Sequence, residues 1–152
     1  MVDLRTLFHD LVRFETELWN AVDARLRADF DLPLSRFEPM LVISRRHRCR
    51  VYDIAEELAI TVGGTSKLVD RIEASGHCVR RPNPGDRRSS IIELTPQGKR
   101  LVAAAGRAFD DELTTRLDAA VSPRAMAQFV NTLQALRAAS LRVDEPAEAA
   151  PA

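Results

Sequence analysis

Arg87 and Arg88 directly follow an Asn83-Pro84-Gly85-Asp86 turn. The surrounding stretch, residues 76–98, reads as a β-hairpin with three Arg near or just past its tip. Guanidinium groups at a hairpin tip suit phosphate oxygens and the DNA minor groove. Upstream, Ser66 and Lys67 fall on the outer face of a short helix. A Ser hydroxyl can donate or accept at a base or a phosphate. A Lys can read guanine acceptors or bind phosphate alone. This is the chemistry of recognition. Turnover would need a nucleophile with its base, a Gly-rich phosphate loop or paired acids in a cleft, and the chain offers none of these patterns.

The elements that must carry these residues follow from periodicity. Leu4, Leu7, Phe8, Leu11, Phe14, Leu18, Trp19, Val22 and Leu26 step by three and four, predicting one long amphipathic helix over residues 3–28. Ser35 and Glu38 fit a capping box for a second helix, with Pro39 near its start. That helix ends in a basic run with Arg45, Arg46, Arg48 and Arg50. Such a run is a solvated surface or a flanking phosphate contact. Val51 to Ala59 reads as a short helix with Ile54, Ala55 and Leu58 inward. Thr61 caps the next, which buries Thr65, Leu68, Val69 and Ile72 and closes at Gly76. Two short helices joined by a tight turn make a helix-turn-helix, the second being the reading helix. With the basic hairpin beside it, the fold is a winged helix.

Thr95-Pro96 and Ser122-Pro123 are start signals for two further helices. Their stripes are Leu101, Ala105, Phe109, Leu113 and Leu117, then Met126, Phe129, Val130, Leu133 and Leu136. The fold class expected is mainly α with a small β-hairpin wing. A single domain over 1–152 would hold a DNA-binding region at 34–95 and a helical region at 1–33 and 96–141. The Glu-Pro-Ala-rich tail, 142–152, reads as disordered.

Net charge is zero, yet its distribution is uneven. Residues 36–100 hold 13 basic and 8 acidic side chains, a net of +5, so the flanks carry −5. A basic middle between acidic arms would turn one face to DNA. No apolar run reaches the roughly 20 residues of a membrane span, and the start does not read as a signal peptide. Both point to the cytoplasm. Cys49 and Cys78 read as reduced thiols. With His47 and His77 they do not match a zinc spacing, so neither metal nor cofactor is expected.

Three segments in order resemble the MarR family of winged helix-turn-helix transcription regulators. They are Asp53-Ile54-Ala55-Glu56-Glu57-Leu58-Ala59-Ile60-Thr61, then Ser66-Lys67-Leu68-Val69-Asp70-Arg71-Ile72-Glu73-Ala74-Ser75-Gly76. The third runs from Asp86-Arg87-Arg88-Ser89 through Leu94-Thr95-Pro96-Gln97-Gly98. The resemblance implies a homodimer with 1–33 and 96–141 intertwined, binding a pseudo-palindromic operator, mostly as a repressor. It implies release of double-stranded DNA by a small, phenolic or aromatic acid effector. The DNA contacts it implies are Thr61, Gly63, Gly64, Thr65, Ser66, Lys67, Arg71, Asp86, Arg87 and Arg88. Asp86 would brace Arg88 as an ion pair. Arg71 would reach phosphate or pair with Asp70 or Glu73. Gly63 and Gly64 depart from the polar residues common there. They serve either close backbone approach to DNA or tight packing on the preceding helix. His9, Arg13 and Trp19 on the first helix would border the effector cleft. Peroxide-sensing members use a Cys in that helix, and this chain has none there. The stripe of the first helix independently calls for a large partner surface. The alternatives are a regulator or activator without an effector, and a winged helix used for protein–protein contact. Lys67, Arg87 and Arg88 speak against the latter.

Overall fold

The computed structural model describes residues 1–143; the rest of the Ala- and Pro-rich tail lies outside the described residues. Two compact units divide the chain at Glu112 and Leu113.

In the first unit α1 (Leu4–Phe30) begins at Asp3, whose carboxylate accepts the Arg5 N–H at 3.0 Å. It stops at Asp31, which turns into the left-handed region at φ 50. Among the described residues, the C-terminal part of its apolar stripe is the part that is covered: Val22 and Leu26 are buried. Leu7, Phe8, Leu11, Phe14 and Trp19 lie open, with Phe8 64% exposed.

The second helix, α2 (Leu34–Arg45), starts one residue before the expected cap. Its N-cap is Pro33, with no side-chain cap bond, so the Ser35–Glu38 capping box is not formed. The carboxylate comes from another helix. Asp23 of α1 accepts the Leu34 N–H at 2.7 Å and the Arg27 guanidinium at 2.6 Å. Burial alone would raise the Asp23 carboxyl; these two bonds outweigh it and hold it below its usual range. Glu38 is instead half-buried, and burial pushes its carboxyl up.

α2 is the centre of the core. Phe37, Met40, Val42 and Ile43 are buried, and the Phe37 ring lies 5.3 Å from that of Phe109. Against α2 pack α3 (Val51–Leu58), α4 (Val62–Ala74) and the second strand of the hairpin. Ile54 and Ala55 of α3 and Thr65, Val69 and Ile72 of α4 fill the interior as the periodicity predicts, while Leu58 and Leu68 are partly covered. Ala59, at φ 53, ends α3, and the Thr61 hydroxyl caps α4 by accepting the Gly64 N–H at 3.1 Å.

The end of α4 explains Gly76. The His77 N–H returns to the Ile72 carbonyl at 3.1 Å and the Gly76 N–H to Glu73 at 2.9 Å. This is a Schellman closure, and Gly76 takes the left-handed position at φ 76 that it requires. The chain then enters β1 (Cys78–Pro82), antiparallel to β2 (Ser90–Leu94), with Cys78 opposite Leu94 and Pro82 opposite Ser90. On the far edge of β2 the Ile92 N–H donates to the Cys49 carbonyl at 2.7 Å. That bond ties the wing to the loop between α2 and α3.

Thr95 launches α5 (Pro96–Leu113) as expected: its hydroxyl accepts the Gly98 N–H at 3.0 Å and donates to the Gly76 carbonyl at 2.7 Å. Val102, Ala105 and Ala108 of α5 are buried.

The second unit has a π-helical turn (Thr114–Asp118) and α6 (Pro123–Val143). Leu117, expected to continue the stripe of α5, falls in the turn. Ser122 caps α6, accepting the Ala125 N–H at 3.3 Å. The stripe expected inward is open: Phe129, Val130, Leu133 and Leu136 are exposed. Among the described residues, no helix is long and apolar enough to cross a membrane.

Candidate nucleic-acid interface

The reading helix α4 presents Gly63, Lys67, Asp70 and Arg71 to the outside, with Ser66 partly covered. Thirteen residues at 1.5 Å rise give a rod of about 20 Å, and the DNA major groove is about 12 Å wide. Thr61 is exposed but its hydroxyl is engaged as the cap. Thr65, expected to touch DNA, faces away from it. It is fully buried and its hydroxyl donates to the Thr61 carbonyl at 2.8 Å, so it holds the helix start and faces the core.

Of the two readings of the glycines, packing on the preceding helix is not what the geometry shows. A Cβ at Gly63 would meet nothing within 4 Å, and one at Gly64 would meet only the capping hydroxyl of Thr61, at 3.0 Å. The first turn of α4 therefore carries one exposed apolar side chain, Val62, followed by two glycines with open main chain.

The wing tip is organised by two side chains. Asn83 accepts the Gly85 N–H at 3.1 Å and donates to the Ser89 hydroxyl at 3.0 Å. Asp86 accepts the Arg88 N–H at 2.9 Å and the Ser89 hydroxyl at 3.2 Å. Asp86 thus braces Arg88 through its main chain, where an ion pair with its guanidinium was expected. Arg87 and Arg88 are both exposed.

The basic run before α3 is mostly tied down. Arg46 bonds Glu57 at 2.8 Å, and Arg50 bonds Asp53 at 3.1 Å. The bond from Arg50 holds the Asp53 carboxyl below its usual range, and Asp53 in turn accepts the Arg50 N–H at 2.8 Å as the α3 cap. Arg48 sits at φ 55 and reaches the Asn83 side chain at 3.1 Å, joining the α2–α3 loop to the base of the wing. A cleft of about 450 Å³ opens between them, lined by Arg46, Arg48, Arg50, Asn83 and Asp86.

Arg71 does not hold its acidic neighbours. Arg80 of β1 does, bonding Asp70 at 2.7 Å and Glu73 at 2.5 Å. Periodicity along one helix cannot show this partner, because the strand that carries Arg80 returns past α4 only after the turn at Gly76.

Elsewhere, His9, Arg13 and Trp19 are exposed on α1, and Arg13 pairs with Glu17 at 2.8 Å. The Cys49 and Cys78 thiols are free and buried, and burial pushes each up to about 11. His77 is partly buried, its Nδ1 meets no partner, and burial pushes its pKa down. Among the described residues, no three His, Cys, Asp or Glu side chains gather in a way that could hold a metal ion.

The MarR family model matches residues 30–89, from the end of α1 to the wing. An uncharacterized HTH-type transcriptional regulator of Bacillus cereus is 32% identical over 103 residues, covering 68% of this chain and 65% of the relative. The multiple antibiotic resistance protein MarR of Salmonella typhimurium is 26% identical over 93 residues, 59% of this chain and 65% of that protein. The chain thus spans just under two thirds of the length of these relatives. In fold it is similar to Sco3205, a MarR family transcriptional regulator from Streptomyces coelicolor crystallised in complex with DNA. The TM-score is 0.82 at 19% identity, covering 97% of this chain and 92% of that one. It is similar also to CouR from Rhodococcus jostii RHA1, crystallised bound to p-coumaroyl-CoA. There the TM-score is 0.74 at 24% identity, covering 83% and 87% of the two chains. The paired short helices, the wing with its Asp86-braced tip and these likenesses give the chain a winged helix-turn-helix fold whose residues 30–89 match the MarR family.

Proposed function

We propose that the protein is a DNA-binding transcription regulator that acts as a homodimer on a pseudo-palindromic operator. Each protomer lays α4 in the major groove and the wing along the adjacent minor groove. The observation that carries this reading is the joint exposure of Lys67 on α4 and of Arg87 and Arg88 at the wing tip. Lys67 and the open main chain at Gly63 and Gly64 address base edges or phosphate, and Arg87 and Arg88 address phosphate and the minor groove. With few side chains on the leading turn, groove shape and deformability carry part of the specificity. The likeness to a protein crystallised with DNA supports the same reading.

The dimer rests on the open apolar faces of α1 and α6, each broad enough to need a partner. Repression, and release by a small aromatic or phenolic acid, complete the proposal. CouR, bound to p-coumaroyl-CoA, is the neighbour that supports ligand control.

The test is Arg87→Ala with Arg88→Ala, titrated against duplex DNA at several salt concentrations. The expected result is weaker binding and a shallower dependence of log K on log salt. The slope should fall by about one for each phosphate that is no longer neutralised. Unchanged affinity and slope would sink the wing assignment.

A further inference from the structure

The reading helix carries two carboxylates on the side that the wing adjoins, and one guanidinium answers both. Asp70 is 63% exposed at its side chain and Glu73 39%, while the Arg80 side chain is only 25% exposed. Arg80 bonds Asp70 at 2.7 Å and Glu73 at 2.5 Å, and its own N–H donates to Glu73 at 3.1 Å. The carboxylates therefore lie further out than the cation that holds them. Asp70 comes three residues after Lys67, so it sits on the same helix face as the foremost cation of α4. A carboxylate there repels phosphate, and Arg80, which bonds both acids, reduces that repulsion.

We infer that Arg80 is a positioning residue for DNA binding that acts through Asp70 and Glu73. It turns both carboxylates toward the wing and cancels part of their charge, and it is not itself a phosphate contact. The inference rests on the proposed DNA-binding function. With Arg80 present the three groups sum to −1; without it they sum to −2, beside a helix that must approach a polyanion. The acids are thus a standing brake on affinity, and the strength of the brake is set by Arg80.

The experiment is a fluorescence-anisotropy titration of the full chain against a pool of random-sequence duplexes at low salt. It compares the wild type with Asp70→Asn/Glu73→Gln, Arg80→Met and the triple variant, with a thermal melt of each. The double variant should bind severalfold more tightly than wild type. Arg80→Met should bind about tenfold more weakly, about 1.4 kcal/mol. The triple variant should bind at least as tightly as wild type and close to the double variant, because the charge that Arg80 answers has gone with it. A direct phosphate contact would make the triple weaker than the double variant by the same tenfold that separates Arg80→Met from wild type, overturning the inference, and a merely structural role would track the melts. If the wild type binds and the double variant binds no tighter, the inference is overturned. The double variant keeps the test decisive even if Arg80→Met fails to fold. If the wild type binds no duplex at all, the DNA-binding reading itself is overturned, and the inference with it.

Discussion

Gly98 sits in the first turn of α5, where the helix presses on the turn between α4 and β1. A Cβ at this position would run into the His77 carbonyl, with the His77 carbon at 2.9 Å and its Cα at 3.2 Å. All three are main-chain atoms, so no side chain can swing aside. In an open helix, Gly→Ala stabilises by about 1 kcal/mol. Here the added methyl overpacks, at a cost of about 1–3 kcal/mol. To relieve it, α5 must lift off the turn, stretching the Thr95 N–H bond to His77 at 3.0 Å and the Thr95 hydroxyl bond to Gly76 at 2.7 Å. Each such bond contributes about 1 kcal/mol. The balance is a destabilisation of roughly 2–3 kcal/mol, or about 5–10 °C in Tm for a chain of this size. Gly63 provides the internal control, since a Cβ there meets nothing within 4 Å. Gly63→Ala should leave Tm unchanged or raise it. Circular-dichroism melts and urea titrations of both variants decide the matter. Gly98→Ala as stable as Gly63→Ala would refute the close approach, and with it the account of how the wing is anchored to α5.

Three further outcomes follow from single groups. Thr61→Ala removes the hydroxyl cap of the reading helix and should cost about 0.5–2 kcal/mol by urea denaturation; no change would mean that the cap is idle. Cys49 and Cys78, each pushed up to about 11 by burial, should react with a thiol reagent at pH 8 only as fast as the protein opens. Prompt modification of the native protein would contradict their burial. Burial holds the His77 pKa below its ordinary value of about 6.5, so the unfolded chain takes the proton more readily than the folded one. The stability from neutral His77 is present above about pH 6.5 and is lost as pH falls through the lower folded value. Melts from neutral to acid pH should fall more steeply for wild type than for His77→Phe, and equal slopes would contradict this.

The parts of the fold legible in the sequence are those set by local chemistry. Thr61, Gly76, Thr95-Pro96 and Ser122-Pro123 mark element ends through bonds within a few residues, and each does so in the structure. The stripe of α4 is legible for the same reason, since Thr65, Val69 and Ile72 obey one helix period. What sequence spacing misreads are contacts made from elsewhere. The start of α2 is satisfied by Asp23, eleven residues away on α1, which left the Ser35–Glu38 spacing without a role. Arg80 takes the acids that were one of the two partners read for Arg71, the other being phosphate, because the turn at Gly76 brings β1 back past α4. Thr65 carries a polar side chain in the reading helix, but periodicity alone placed it inward, and burial confirms that it serves the fold. At the wing, the Asp86-Arg87-Arg88 pattern was visible, while the choice of the Arg88 amide over its guanidinium depends on the exact turn.

The central claim is sequence-specific DNA binding, and it is met most directly by titrating the purified chain against labelled duplex from the region beside its own gene. Fluorescence anisotropy would report binding in the presence of excess unrelated DNA. The account predicts saturable binding that survives the competitor and weakens steeply with salt. Binding no better than to the competitor, both there and to every duplex recovered from a random-sequence selection, would contradict it.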